Sequence, residues 1–188
     1  MGLKIILASS SPRRSELLKQ AGILYSVEPA DADESALPGE MPRNHVKRLA
    51  LLKACTVAAG HKNGLVLGAD TVVVVDGEIL GKPASKAEAR RMLTLISGRA
   101  HEVLTGIAIV DARTGRAMSA VEKTKVFVKP LSKNEIDEYI ATGEPMDKAG
   151  AYGIQGRFSV YVTGVRGCFF NVVGLPLPRL FELIKEYL

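Results

Sequence analysis

The sequence predicts an α/β protein built on a mixed sheet, and three observations predict it. A short buried-strand run from Leu3 to Ala8 feeds a helix through a loop of serines, the order of elements used by crossover folds. Asp76-Gly77 is a two-residue turn between extended segments. Alternating segments from His101 to Asp111 and from Ala117 to Val128, with Thr114-Gly115 between them, have the pattern of a long hairpin. Crossovers combined with long hairpins argue for a mixed sheet in two lobes instead of a purely parallel one.

The elements follow in order. Ser11 has the character of an N-cap and Pro12 that of a first helical residue, opening a helix that ends near Gly22. Tyr25 to Pro29 reads as a second strand, and Ala30-Asp31-Ala32-Asp33-Glu34-Ser35 then brings three carboxylates into a loop that runs to Pro38-Gly39. A long helix follows from about Pro42 to Ala59. Gly64 to Asp70 is a buried strand ending in an acid, Thr71 to Val75 continues it, and Glu78-Ile79-Leu80 returns after the turn. Ser85 with Glu88 forms a capping box for a helix to about Ile96, closed by Gly98; Ser132 with Glu135 forms another, for a helix ending near Gly143. Beyond Glu144 the chain is Gly-rich, with short strands expected at Phe158 to Val162 and Phe169 to Val173 and a final helix after Pro178. There is no internal repeat and no linker.

With 188 residues, 47% hydrophobic and 24% charged, the chain can bury a substantial core and is not expected to be disordered. The net charge of +5 favours anionic ligands without demanding a nucleic-acid polymer, since the basic residues are scattered with few aromatics between them. Cys55 and Cys168 are too far apart for a CxxC motif and make no disulfide framework, so a reducing cytoplasm is the expected location. No apolar run reaches membrane-spanning length, and neither export nor lipid anchoring is signalled.

Several residues break local rules, and these carry the functional reading. Arg13 and Arg14 occupy the first turn of a helix, where the backbone dipole is already positive and where a capping box would place a carboxylate. An anion docked on the helix start would reverse that sign, and two guanidinium forks beside backbone N–H groups suit a phosphate chain. The competing reading pairs Arg13 with Glu16 on a solvated face. Lys53 falls inside the apolar stripe Val46, Leu49, Ala50, Ala54 and Val57 of the long helix; it either snorkels outward or reaches inward as a second phosphate contact. Asp70 ends a buried strand, where it either shapes an Asx turn or meets a ligand or metal. With Glu34 or a neighbour as a second carboxylate and Lys82 in the Gly81-Lys82-Pro83 turn, a magnesium-plus-phosphate site gains weight. His45, His61 and His101 lack zinc-ligand spacing, no glycine-rich dinucleotide or Walker loop is present, and no GxSxG elbow makes the early serines nucleophiles; Ser9 and its neighbours are read as caps and hydroxyl donors.

Taken together, Ser9-Ser10-Ser11-Pro12-Arg13-Arg14, Gly68-Ala69-Asp70-Thr71-Val72-Val73, Gly81-Lys82-Pro83, Leu95-Ile96-Ser97-Gly98-Arg99-Ala100-His101 and the run from Glu144 to Gly156 resemble the Maf family of nucleoside triphosphate pyrophosphatases. The likeness spans nearly the whole chain, with Ile96 where leucine is more usual. It implies an elongated mixed α/β fold of the inosine-triphosphatase type, a single domain over 1–188 with two lobes around a nucleotide cleft. Gly-Ala-Asp-Thr at 68 to 71 and Gly-Ile-Gln-Gly at 153 to 156 are similar to the branch that hydrolyses dTTP and UTP, in contrast to the branch acting on 7-methyl-GTP. The resemblance marks Asp70 as proton acceptor and Arg13, Thr71 and Gln155 as positions of substrate choice.

The two readings converge on NTP plus water giving NMP and pyrophosphate, a house-cleaning activity. Asp70 is expected to hold the metal or take the water proton, with Glu34 as further metal ligand or base partner. Arg13, Arg14, Lys53 and Lys82 are expected to neutralise the triphosphate, Ser9 to contribute a hydroxyl, and Gln155 to offer a donor and an acceptor to a pyrimidine edge. The implied cofactor is a divalent cation, magnesium first and manganese second. The implied partner is the nucleotide, with neither nucleic-acid polymer nor membrane; a homodimer is compatible with the sequence and not required by it. Two alternatives stand beside this one: a non-enzymatic nucleotide-binding regulator of septum formation or cell division, and a purine-directed pyrophosphatase with the same chemistry.

Overall fold

The structure, a computed structural model, describes residues 5–187; Leu3 and Lys4 of the expected first strand lie outside the described residues. The elements are β1 (Ile5–Leu7), α1 (Pro12–Gln20), β2 (Tyr25–Val27), α2 (Pro42–Ala58), β3 (Leu65–Val75), β4 (Glu78–Leu80), α3 (Lys86–Ile96), β5 (Ala100–Asp111), β6 (Ala117–Val128), α4 (Lys133–Ala141), β7 (Val162–Arg166), α5 (Phe169–Val173) and α6 (Leu177–Lys185). The described strands form one mixed sheet in the order β2-β1-β3-β5-β6-β7, with β4 on β3. β1 runs parallel to β2 and β3, pairing Ile5 with Tyr25 and with Leu65, whereas β4 pairs antiparallel with β3 and β7 antiparallel with β6. The fold class expected from the sequence is the one observed.

The chain divides into two compact units. The first comprises residues 1–70, 105–122 and 174–188, and the second 71–104 and 123–173. Three strands pass from one unit to the other: β3 between Asp70 and Thr71, β5 between Leu104 and Thr105, and β6 between Glu122 and Lys123.

In the first unit α2 lies directly on the sheet. Its buried stripe is His45, Val46, Leu49, Ala50, Lys53, Ala54, Val57 and Ala58, and the small residues Ala50 and Ala54 pack with Ile6, Ala8, Val66, Ala108 and Val110. Two glycines make the approach possible. A Cβ on Gly68 of β3 would lie 2.1 Å from the Ala50 carbonyl oxygen, and one on Gly106 of β5 would lie 2.1 Å from that of Val46. Both clashes are with backbone, so the helix could not relieve them by rotating a side chain.

The second unit is organised around aromatic rings. Phe158 is fully buried, with ring centroids 5.1, 4.7 and 5.3 Å from Tyr139, Tyr152 and Tyr161. This cluster corrects the expected strand at 158–162: Arg157–Tyr161 is a 3-10 helix, and pairing with β6 begins only at Val162. Tight turning sends Phe158 inward, a placement that alternation misreads as strand. The expected strand at 169–173 is also overturned, since those residues form α5. There the buried Asn171 amide donates to the Val103 carbonyl and to Thr124 Oγ1, tertiary bonds that override the β propensity of Phe and Val. Of the two capping boxes, Ser132 with Glu135 is complete. In the other, Ser85 Oγ accepts from the Glu88 amide, but Glu88 Oε2 reaches back to the Ala84 amide instead of that of Ser85.

His101, 2% exposed, sits edge-on to Tyr152 with Nε2 2.7 Å from the Tyr152 hydroxyl. Burial pulls its pKa from 6.5 down to about 4. The unfolded chain therefore binds a proton near pH 6.5 that the folded chain refuses until about pH 4, and stability falls as pH drops through that window. The expected loss is on the order of 3 kcal/mol between neutral pH and pH 4. Urea unfolding of wild type and His101→Gln across this range checks it: the variant should lack this part of the slope, and parallel slopes would remove His101 as the source.

Candidate active site

The first unit gathers the charged residues that break the local rules. Beyond β1, Ala8 donates its amide to the Leu67 carbonyl, which holds the start of the serine loop against β3. Ser9 is buried, and its Oγ accepts from the Ser11 amide at 3.2 Å and from Arg14 Nη1 at 2.9 Å. Ser11 is the N-cap residue of α1 yet makes no side-chain cap bond, and the first turn contains no acid. Arg14 also donates Nε to the Gly174 carbonyl at 3.0 Å, so the guanidinium is oriented from two sides. Burial lowers its pKa, while Asp70 raises it, Arg13 lowers it and Glu34 raises it. An arginine keeps its charge through such a shift.

Lys53 reaches inward. Its side chain is 9% exposed, and Nζ lies 2.9 Å from Asp70 Oδ1 and 2.8 Å from Glu34 Oε2. This excludes the snorkelling alternative and gives Asp70 an ion-pair partner beyond a local turn. Lys53 owes its position to α2 resting on Gly68, two residues before Asp70 on β3. Asp70 is buried, whereas Glu34 is more than half exposed.

Glu34 belongs to the loop between β2 and α2, and that loop is tied to the helix it precedes. Glu40 Oε1 and Oε2 accept from Arg48 Nε and Nη2 at 2.6 and 2.7 Å, His45 Nδ1 lies 3.0 Å from Oε2, and Arg48 Nη2 also donates to the Ser35 carbonyl at 3.0 Å. The Arg48 hydrogen bonds, with a smaller contribution from His45, hold the Glu40 pKa at about 2. Sequence reading missed this clamp, because an acid before a helix and an arginine inside it look like ordinary surface charge; the one available signal was Arg48 lying two turns beyond Glu40.

The structure thus brings Ser9, Arg14, Glu34, Lys53 and Asp70 together in one unit, with Arg13 next to Arg14 in the first turn of α1. Thr71, Lys82 and Gln155 belong to the second unit. Thr71 is half-buried and follows Asp70 along β3; Lys82 is exposed beyond β4; Gln155 is exposed in a turn between two short 3-10 segments.

Two carboxylates converging on one ammonium fit a magnesium-type ion, which takes one or two protein carboxylates and fills its other positions with phosphate oxygens and water. Among the described residues no group of three or more His, Cys, Asp or Glu side chains is placed to hold a metal, so phosphate and water would have to complete the shell. The histidines are engaged elsewhere: His45 with Glu40, His61 with Glu28 and His101 with Tyr152. No helix among the described residues is long and apolar enough to cross a membrane.

A family model described as Maf-like protein matches residues 4–187. The chain is 52% identical to a dTTP/UTP pyrophosphatase of Symbiobacterium thermophilum, the match covering 98% of this chain and 94% of the relative. It is 50% identical to a dTTP/UTP pyrophosphatase of Koribacter versatilis, over 99% of this chain and 95% of that one. Among solved structures, a HAM1 protein from Coxiella burnetii shares the fold with a TM-score of 0.56 at 17% identity, covering 98% of this chain and all of the other.

Proposed function

The chain belongs to the Maf-like protein family, and on that premise we propose that it is a cytoplasmic nucleoside triphosphate pyrophosphatase that hydrolyses dTTP and UTP to the monophosphate and pyrophosphate. The observation that carries the proposal is the buried Lys53 ammonium joining Asp70 and Glu34 beside the oriented guanidinium of Arg14. A protein that only binds a polyphosphate needs the cations. The two acids balance the buried ammonium and, beyond that, supply the proton acceptor and cation ligands that breaking a bond requires.

Water attacks the α-phosphorus, its proton passes to an Asp70 carboxylate oxygen, and the bond from the α-phosphorus to the bridging oxygen breaks as pyrophosphate leaves. Lys53 holds Asp70 and Glu34 in register and offsets their repulsion of the incoming phosphates. Arg13 and Arg14 at the start of α1, with Lys82, neutralise the triphosphate, and Ser9 fixes the Arg14 fork. Asp70 and Glu34 are the residues that would hold a divalent ion, magnesium or manganese, and such an ion when bound supplies Lewis-acid stabilisation of phosphate charge. Arg13, Thr71 and Gln155 set substrate choice, the Gln155 amide matching the donor and acceptor edge of a pyrimidine.

The test is pyrophosphate release from dTTP, UTP, dCTP, dGTP and 7-methyl-GTP with magnesium, repeated with EDTA and then with added manganese. Fastest turnover of dTTP and UTP, abolished by the chelator and restored by metal, is expected. Binding of dTTP with no pyrophosphate from any nucleotide would establish the non-enzymatic regulator instead, and a purine preference would overturn the pyrimidine assignment.

A further inference from the structure

Gln155 lies in a β-turn, Gly153-Ile154-Gln155-Gly156, closed by the Gly156 amide donating to the Gly153 carbonyl at 3.1 Å. Ile154 is buried and Gln155 exposed, so the turn is anchored by one central residue and presents the other. Both ends of the turn are gripped by two side chains that also grip each other. The Tyr139 hydroxyl accepts from the Gly153 amide at 3.2 Å and donates to Glu144 Oε1 at 2.9 Å, while Glu144 Oε2 accepts from the Arg157 amide at 3.0 Å. Tyr139 is 3% exposed and packs against Phe158, so the hydroxyl is aimed by the aromatic core.

Gly156 completes the device. Its φ of −95° is open to any residue, yet a Cβ there would fall 2.0 Å from Glu144 Oε1 and 2.6 Å from Oε2. The glycine exists to admit the carboxylate, and the carboxylate cannot step aside without releasing Tyr139 and the Arg157 amide.

We infer that Tyr139 and Glu144 are positioning residues for base selection, a two-point clamp that fixes the turn carrying Gln155. The inference rests on Gln155 reading the base, as set out under the proposed function. A side-chain amide discriminates between bases only while its donor and acceptor are held in place; a turn free to rock presents either group to either edge. Neither Tyr139 nor Glu144 need touch the nucleotide for this.

The experiment measures kcat and KM for dTTP and dGTP in Gln155→Ala, Tyr139→Phe, Glu144→Ala, Gly156→Ala and the Glu144→Ala/Gly156→Ala double variant, with hydrogen exchange at the Gly153 and Arg157 amides. Tyr139→Phe and Glu144→Ala are expected to lower the dTTP-to-dGTP ratio of kcat/KM by roughly tenfold, in the direction of Gln155→Ala, through KM for dTTP, with faster exchange at both amides. Gly156→Ala should reproduce Glu144→Ala, and the double variant should be no worse than Glu144→Ala alone, because the atoms that clash are then gone. If Gln155→Ala collapses the ratio while Tyr139→Phe and Glu144→Ala keep it, the clamp is overturned and the role of Gln155 stands. An additive double variant likewise overturns the clamp. If Gln155→Ala itself keeps the ratio, the base-reading role and the clamp fall together.

Discussion

Asp70→Asn is expected to lower kcat for dTTP by a factor of about 10² to 10⁴ while the protein stays folded and still binds nucleotide. The amide has the shape of the carboxylate and keeps an oxygen that can accept from Lys53 Nζ, now 2.9 Å from Oδ1. Glu34, 2.8 Å from the same nitrogen, still supplies a counter-charge, so the buried ammonium is not stranded. What disappears is the basic oxygen that receives the water proton and half of the carboxylate pair available to a cation. Pyrophosphate release, dTTP binding by calorimetry and circular dichroism separate these effects. A variant with near-normal turnover would remove Asp70 from the chemistry, whereas an unfolded one would show that its pairing with Lys53 is chiefly structural.

Gly68→Ala is expected to destabilise the protein by roughly 3 kcal/mol or more, the upper part of the range for overpacking, because the added carbon would lie 2.1 Å from the Ala50 oxygen and 2.8 Å from the Ala54 nitrogen. In a chain of this length that corresponds to a melting temperature lower by roughly 10 °C. Activity should fall further than stability alone explains. Displacing α2 from β3 moves Lys53 relative to Asp70, and a small misplacement at a reacting centre is expensive. Gly60→Ala is the comparison: there the nearest atom to a new Cβ is 3.6 Å away, an ordinary contact, and little change is expected. Thermal melts of the two variants decide the matter, and a Gly68→Ala protein melting like Gly60→Ala would show that α2 does not depend on this close approach.

Much of the site was legible because its residues contradict their local setting. Arg13 and Arg14 stand at the positive end of α1, Lys53 interrupts an apolar stripe, and Asp70, expected at a strand end, instead interrupts a run of buried aliphatics that continues to Val75; each conflict is visible within one helical turn or one strand. Glu34 was harder to single out, since Asp31 and Asp33 share its loop and nothing local ranks the three. The segments 158–162 and 169–173 were misread for a related reason. Five residues of aromatic and β-branched character between glycines satisfy strand statistics, but Phe158 is claimed by Tyr139 and Tyr152 of preceding segments and by Tyr161 of its own 3-10 helix, and Asn171 by Val103 and Thr124, far off in the chain.

Sequence by itself determined the order of helices and strands as far as α4, the mixed character of the sheet, the capping box at Ser132 and the cations that an anion would have to answer. These follow from periodicity and end chemistry, which act within a few residues. Only the tertiary structure decided that Lys53 turns inward to join Glu34 and Asp70, that Glu40 and Arg48 tie down the acidic loop, and that Tyr139 and Glu144 grip the turn bearing Gln155. A buried charge must find a counter-charge or a donor, and which one it finds depends on where distant segments come to rest.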